Sequence, residues 1–257
     1  MDEHRPLRTF GRTKARTLKP RQAGLVEALL PHLAVDVSGP IDVEALFPSS
    51  LVEEGSGEEG CSNQQAPAQL SAPHPRAPSP QGRGGVVLEI GFGGGEHLVA
   101  QAAAHPDARF IGVEPFLNGV ASCLRHIEES GVANVRLHQG DARDVLARLP
   151  DVSLDLVYIL FPDPWPKKRH WKRRLIQQAF VAELARVLKL GAEVRFATDW
   201  AGYAAWTLEA FTRSPHFTWT AECAADWRAP WPGHTPTRYE QKRLGDCAPV
   251  WLRFARA

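Results

Sequence analysis

From Val86 onward the apolar residues fall into two alternating rhythms. Short apolar runs, "VVLEIG", "RFIGVE", "NVRLHQGD" and "LDLVYILF", alternate with "EHLVAQAAAH", "LNGVASCLRHIEES" and "ARDVLARLP", whose apolar residues recur at helical spacing. The runs predict buried strands and the intervening stretches predict amphipathic helices, the second stopped by Gly131. Further on, "RRLIQQAFVAELARVLKLG" predicts one long amphipathic helix with Gly191 as its C-cap. "AEVRFATD" predicts a fifth strand, and "FTWTAEC" and "VWLRFARA" two final ones. Between them "YAAWTLEAFTRS" predicts a helix with Tyr203, Trp206, Leu208 and Phe211 on its core face. Such alternation predicts an α/β fold, a doubly wound, mostly parallel seven-stranded sheet covered by helices on both faces.

Upstream the pattern changes. "PRQAGLVEALLPHL" has helical spacing, with Pro31 near its end. In the stretch 35–85, Pro67, Pro73, Pro75, Pro78 and Pro80 crowd one half and "EEGSGEEG" fills another part. That composition buries too little apolar surface to offset its ordering entropy and predicts a disordered insertion, with "IDVEALF" as a weak docking segment. The chain therefore divides into a basic arm and helix over 1–34, a low-complexity insertion over 35–85 and an α/β domain over 86–257.

Composition adds further constraints. The 257 residues, 44% hydrophobic, suffice for one α/β domain with extras. The formal net charge of +1 hides two basic segments. One holds Arg5, Arg8, Arg12, Lys14, Arg16, Lys19 and Arg21, the other Lys167, Lys168, Arg169, Lys172, Arg173 and Arg174, and both are candidates for phosphate binding. Cys61, Cys123, Cys223 and Cys247 are scattered, without C-x-x-C or H-E-x-x-H, so neither a metal site nor a disulfide framework is expected. A reduced, cytoplasmic setting fits. No apolar run is long enough to span a membrane and the basic N-terminus lacks the apolar stretch of a secretory signal, so no membrane partner is expected.

The chemistry concentrates where strands end. "LEIGFGGGEHL" links the first strand to the first helix, and Gly91, Gly93 and Gly95 allow a sharp turn and close approach of a ligand. A dinucleotide fingerprint would place glycine where Glu96 stands, and a carboxylate at that helix start competes with a pyrophosphate. A nucleoside cofactor without pyrophosphate, S-adenosylmethionine being the common one, suits the loop better, with its charged groups near Glu89. Glu114, 25 residues after Glu89, is placed to accept from ribose hydroxyls. Asp141 can reach an adenine amino group, or serve only as a helix N-cap. Asp163 ends the fourth strand between Pro162 and Pro164 and ahead of the basic tract. Trp165 and Trp200 are candidates to stack on a base, with packing as the plainer alternative.

Taken together, "LEIGFGGGEHL", "FIGVEPF", "GDA", "FPDPWPKKRHWKRR", "ATDW" and "TRYE" resemble the bacterial tRNA (guanine-N7-)-methyltransferase family, within the class I (Rossmann-like) methyltransferases. The insertion over 35–85 departs from the compact family pattern. The resemblance implies that Glu89, Glu114, Asp141 and Asp163, with Gly91 and Gly93 in the loop, contact S-adenosylmethionine. It implies that Lys167, Asp199, Thr237, Arg238, Tyr239 and Glu240 contact the substrate. It further implies that Arg169, Lys172, Arg173 and Arg174 meet RNA, and that the methyl acceptor is a guanine in the tRNA variable loop. Because guanine N7 carries a lone pair and no proton, no general base is needed, and catalysis rests on alignment and electrostatics. Asp163 is the first candidate for the catalytic acceptor and Asp199 the second. A small-molecule methyltransferase would leave the basic tract unexplained, and a non-catalytic RNA-binding protein would leave Glu89, Glu114 and Asp163 without work. The sequence leaves monomer and homodimer open.

Overall fold

The computed structural model describes residues 17–48 and 84–257. Arg5, Arg8, Arg12, Lys14 and Arg16, and the proline-rich part of the expected insertion, lie outside the described residues. Strands β1 (Val86–Ile90), β2 (Arg109–Val113), β3 (Val135–His138), β4 (Leu154–Leu160), β5 (Leu188–Thr198), β6 (Phe217–Trp219) and β7 (Val250–Arg256) form one seven-stranded sheet in the order β3-β2-β1-β4-β5-β7-β6. The first five run parallel, and β7 inserts antiparallel between β5 and β6. The strand order reverses between β1 and β4, which opens a crevice at the C-terminal ends of those strands.

Both faces of the sheet are covered. Helices α1 (Pro20–Ala28), α2 (Leu30–Leu33), α4 (Glu96–Ala104) and α5 (Leu117–Ser130) bury Leu25, Leu98 and Leu124 with Phe110 and Leu137 of the sheet. On the other face α6 (Ala142–Arg148), α7 (Gln178–Val187) and α8 (Ala201–Thr212) bury Leu146, Leu184, Tyr203 and Phe211 with Leu88, Val157 and Phe196. All five residues of β1 are buried, as a central parallel strand requires. Gly131, at φ +69°, ends α5 as expected from the sequence.

Three stretches differ from the sequence reading. The long helix expected over "RRLIQQAFVAELARVLKLG" is divided: a 3-10 turn, Lys168–Arg173, precedes α7, and β5 begins at Leu188. Leu188 pairs with Leu154, and the register then jumps so that Glu193 meets Leu156. Gly191, at φ +77°, lies within this bulge rather than at a helix end. Closely spaced apolar residues such as Val187, Leu188 and Leu190 fit either period, and strand pairing decides.

The N-terminal part of the expected insertion is folded. Val35 N–H donates to Leu137 O at 2.8 Å and Ile41 N–H to Arg148 O at 2.8 Å, so this segment passes from β3 to the end of the helix that follows it. Val35, Ile41 and Val43 are buried in the core, and Asp42 caps the short helix α3 (Val43–Leu46). The apolar alternation here was outweighed by the acidic and proline-rich residues that follow. The third difference, the fold of "TRYE", belongs to the site.

Candidate active site

The glycine loop is built by three left-handed residues, Gly91 at φ +75°, Gly93 at φ +56° and Gly95 at φ +81°. Gly95 is also the N-cap of α4, and a Cβ there would lie 2.4 Å from Cys123 Sγ. At Gly91 and Gly93 a Cβ would meet nothing within 4 Å. Two of the glycines therefore border open space, while the third is required by packing. Gly93 N–H donates to Glu114 Oε2 at 2.9 Å, and Phe116 N–H to Glu114 Oε1 at 2.9 Å. These two amides orient the Glu114 carboxylate directly after β2 and leave further lone pairs on each oxygen. Burial pushes its carboxyl upward, against the pull of the two amides.

Glu89 sits on β1, buried, with Oε2 2.7 Å from Nδ1 of His97 on α4. Asp141 caps α6 by accepting from Arg143 N–H at 3.0 Å and pairs with the Arg143 guanidinium at 2.8 Å. It stands at the end of β3 beside the same crevice and performs the plainer role that its position allows. A group with ribose-like hydroxyls fits this end of the sheet: an oriented acceptor at Glu114, open space at Gly91 and Gly93, and no phosphate-binding glycine at Glu96.

Asp163 follows β4 on a loop with unusual backbone. Phe161 at φ +50° and Trp165 at φ +41° are both left-handed without being glycine, so strain of about 1–3 kcal/mol each is stored around this carboxylate. Asp163 is exposed and lies within electrostatic reach of Glu114, Tyr203 and Tyr239. Trp165 packs edge-on to His170 and under the guanidinium of Arg173, 5.0 Å from its ring centroid, so the basic turn holds it. Lys167, Arg169 and Lys172 are exposed, and desolvation together with the charges of Arg173, Arg169 and Lys167 holds His170 below its ordinary value. Arg174 is the exception in the tract. It is 2% exposed and turned inward.

Asp199 follows β5, is 3% exposed, and neither carboxylate oxygen has a hydrogen-bond partner. It lines a cavity of about 730 Å³ together with Pro236, Glu240, Gln241, Arg243 and Gly245. Gly245 is required there, since a Cβ would lie 1.9 Å from Asp199 O. Trp200 is partly buried against the core.

"TRYE", which by sequence physics alone would pass as a polar loop before a strand, is helical. Thr237 caps α9 (Arg238–Lys242) through a reciprocal capping box with Glu240. The S/T-x-x-E spacing carried that signal in the sequence. Arg238 then pairs with Glu96 at 2.6 Å, Tyr239 stacks toward Phe161 at 5.7 Å, and Glu240 meets His234 Nε2 at 2.8 Å. The fold thus brings the C-terminal motif onto the glycine loop and the Asp163 loop at once. His97 and His234, with ring centroids 5.4 Å apart, were not singled out from the sequence, and nothing in their spacing marks them.

Among the described residues no helix is long and apolar enough to cross a membrane and no cluster of three metal-ligating side chains occurs. The parallel sheet with one antiparallel strand inserted beside β5, and the acids arrayed at its C-terminal edge, define a class I S-adenosylmethionine-dependent methyltransferase. Residues 83–251 match the family model described as "Putative methyltransferase". The chain is similar to the tRNA (guanine-N(7)-)-methyltransferase of Caulobacter sp. (strain K31), 52% identical over 98% of this chain and 96% of the relative. It is also similar to the enzymes of that name from Caulobacter vibrioides (strain NA1000 / CB15N), at 51% over 98% and 96%, and Nitrobacter hamburgensis, at 47% over 96% and 86%. The chain belongs to the tRNA (guanine-N7-)-methyltransferase family.

Proposed function

We propose that this protein transfers a methyl group from S-adenosylmethionine to N7 of a guanine in the variable loop of tRNA, in the cytoplasm. The observation that carries this reading is the buried Asp199, whose two carboxylate oxygens have no hydrogen-bond partner and which lines a cavity with residues of the Arg238–Lys242 helix. Guanine offers two adjacent donors, N1–H and the exocyclic amine, and adenine offers neither in that arrangement. A carboxylate that accepts from both satisfies a desolvated group that otherwise costs stability and selects the base.

S-adenosylmethionine supplies an electrophilic methyl group on a positively charged sulfur. Glu114 and Gly93 hold the ribose side of the site, Glu89 braced by His97 lies on β1 just before the glycine loop, and Asp141 closes the β3 end. Asp163 places a negative charge beside the crevice, where it favours positive charge moving onto the purine ring. N7 needs no deprotonation, so the side chains orient the base and exclude water. Lys167, Arg169, Lys172 and Arg173 present positive charge to the RNA backbone.

The test uses unmodified tRNA transcripts with S-adenosylmethionine, followed by digestion and mass spectrometry. Expected is 7-methylguanosine from the wild type, with a loss of about 100-fold or more in rate for Asp163→Asn measured at saturating cofactor. Methylation of the Asp163→Asn variant at the wild-type rate would remove Asp163 from the reaction. Absence of 7-methylguanosine with cofactor bound would point to another methyl acceptor.

A further inference from the structure

We infer that Arg174 is a positioning residue that locks the Asp163 loop to the Asp199 loop, and not a contact for RNA phosphate. The inference rests on the assignment of both acids to the reaction. Arg174 is the last of six basic residues and the C-cap of the 3-10 turn, yet its side chain leaves the basic surface and enters the protein. Its Nε–H donates to Pro164 O at 2.9 Å, the residue directly after Asp163. Its Nη1–H donates to Gly202 O at 3.1 Å, in the first turn of the helix that follows Asp199. One guanidinium therefore holds both segments through backbone carbonyls, which no substitution of their own side chains can replace.

The cage around it is aromatic. The ring centroids of Trp171, Tyr203 and Trp206 lie 5.0, 5.0 and 5.3 Å from its carbon. The cage is itself fixed: Trp206 Nε1–H donates to Ile176 O at 2.6 Å, and Tyr203 Oη accepts from Ile176 N–H at 3.3 Å. Among the described residues no carboxylate forms an ion pair with Arg174, so a buried cation is balanced by carbonyls and ring faces alone. Burying a charge without a counter-ion is costly, and an apolar side chain of similar size would fill the space at less cost. What an apolar side chain cannot supply is a planar fork with donors aimed at two carbonyls from different loops. The left-handed Phe161 and Trp165 explain why such a lock is required. A loop with strain on both sides of Asp163 relaxes unless something outside it holds it in place.

The experiment compares Arg174→Lys with wild type in the full chain, reading cofactor Kd, tRNA Kd with its salt dependence, and kcat for 7-methylguanosine formation. Lysine keeps the charge but cannot serve both carbonyls with a planar fork. Expected are unchanged cofactor and tRNA affinity, an unchanged salt slope, and a kcat lower by about 10- to 100-fold, the effect of a misplaced group. Wild-type kcat in Arg174→Lys, or a kcat loss accompanied by a shallower salt slope, overturns the inference. Should Arg174→Lys fail to bind cofactor, Trp206→Phe thins the cage while leaving the guanidinium. A smaller fall in kcat at unchanged tRNA affinity then supports the inference, and no fall overturns it. Failure of the underlying functional reading is distinguishable, because the wild type itself would then form no 7-methylguanosine.

Discussion

Arg238 Nε lies 2.6 Å from Glu96 Oε1, joining the C-terminal helix α9 to the first turn after the glycine loop. On the proposed assignment, the pair joins the substrate and cofactor sides of the site. It is also largely exposed at the arginine, at 62%, so its effect on overall stability is small, about 1 kcal/mol or less. Arg238→Ala is therefore expected to leave the urea midpoint nearly unchanged while raising KM for tRNA. A variant that loses stability without a change in KM would place the pair in the scaffold only.

The glycines of the loop separate by the same logic. Gly95→Ala drives a methyl group into Cys123 and into a disfavoured φ, at a cost of roughly 2–5 kcal/mol, read as a lower midpoint of unfolding. Gly93→Ala meets open space and costs only about 1–2 kcal/mol of backbone strain. Its expected defect is in cofactor affinity, measured by calorimetry. Equal stability losses in the two variants would contradict the assignment of open space to the cofactor.

Acid should loosen the segment above the site. Burial holds His234 below its ordinary value of 6.5, against the opposing pull of Glu240. The folded protein then binds fewer protons than the unfolded chain between the lowered value and 6.5, so stability rises with pH across that interval and is lost as pH falls through it. His126, lowered by burial and by Arg125, acts in the same sense, while Glu114, raised by burial, acts oppositely from 4.5 upward. Urea unfolding of wild type and His234→Phe at a series of pH values isolates the His234 share. The variant is expected to give the shallower dependence, and parallel curves would exclude His234.

Salt separates the cations of the basic tract. Arg169→Ala and Lys172→Ala are each expected to weaken tRNA binding at all sites alike and to reduce the slope of log K against log salt by about 1. Arg174→Gln is expected to leave that slope unchanged, since its guanidinium is buried. Fluorescence titration of labelled tRNA at several salt concentrations reads both.

Much of this arrangement was legible in the chain. The strands β1 to β4 are short apolar runs that stop at glycine or acid, because a buried parallel strand must be apolar throughout and a ligand site needs polar groups at its end. The division between α7 and β5 was not legible, since Leu188 is apolar in either structure and only its pairing with Leu154 decides. Val35, Ile41 and Val43 were hidden by their acidic and proline-rich neighbours, although their burial is specific. Arg174 reads like its basic neighbours in sequence. Its inward turn follows from Trp171, Tyr203 and Trp206, which converge only in the folded chain.

The reversal of strand order between β1 and β4 also divides the chain's labour. Glu89, Glu114 and Asp141 come from the segment before it, and Asp163, Asp199 and Arg238 from the segment after. On the proposed assignment of these side chains, the methyl donor is held mainly by the first half of the chain and its acceptor chosen by the second. Substitutions that re-aim the second half to a new acceptor leave the first intact, so a lineage can change what it modifies without rebuilding how it carries the methyl group.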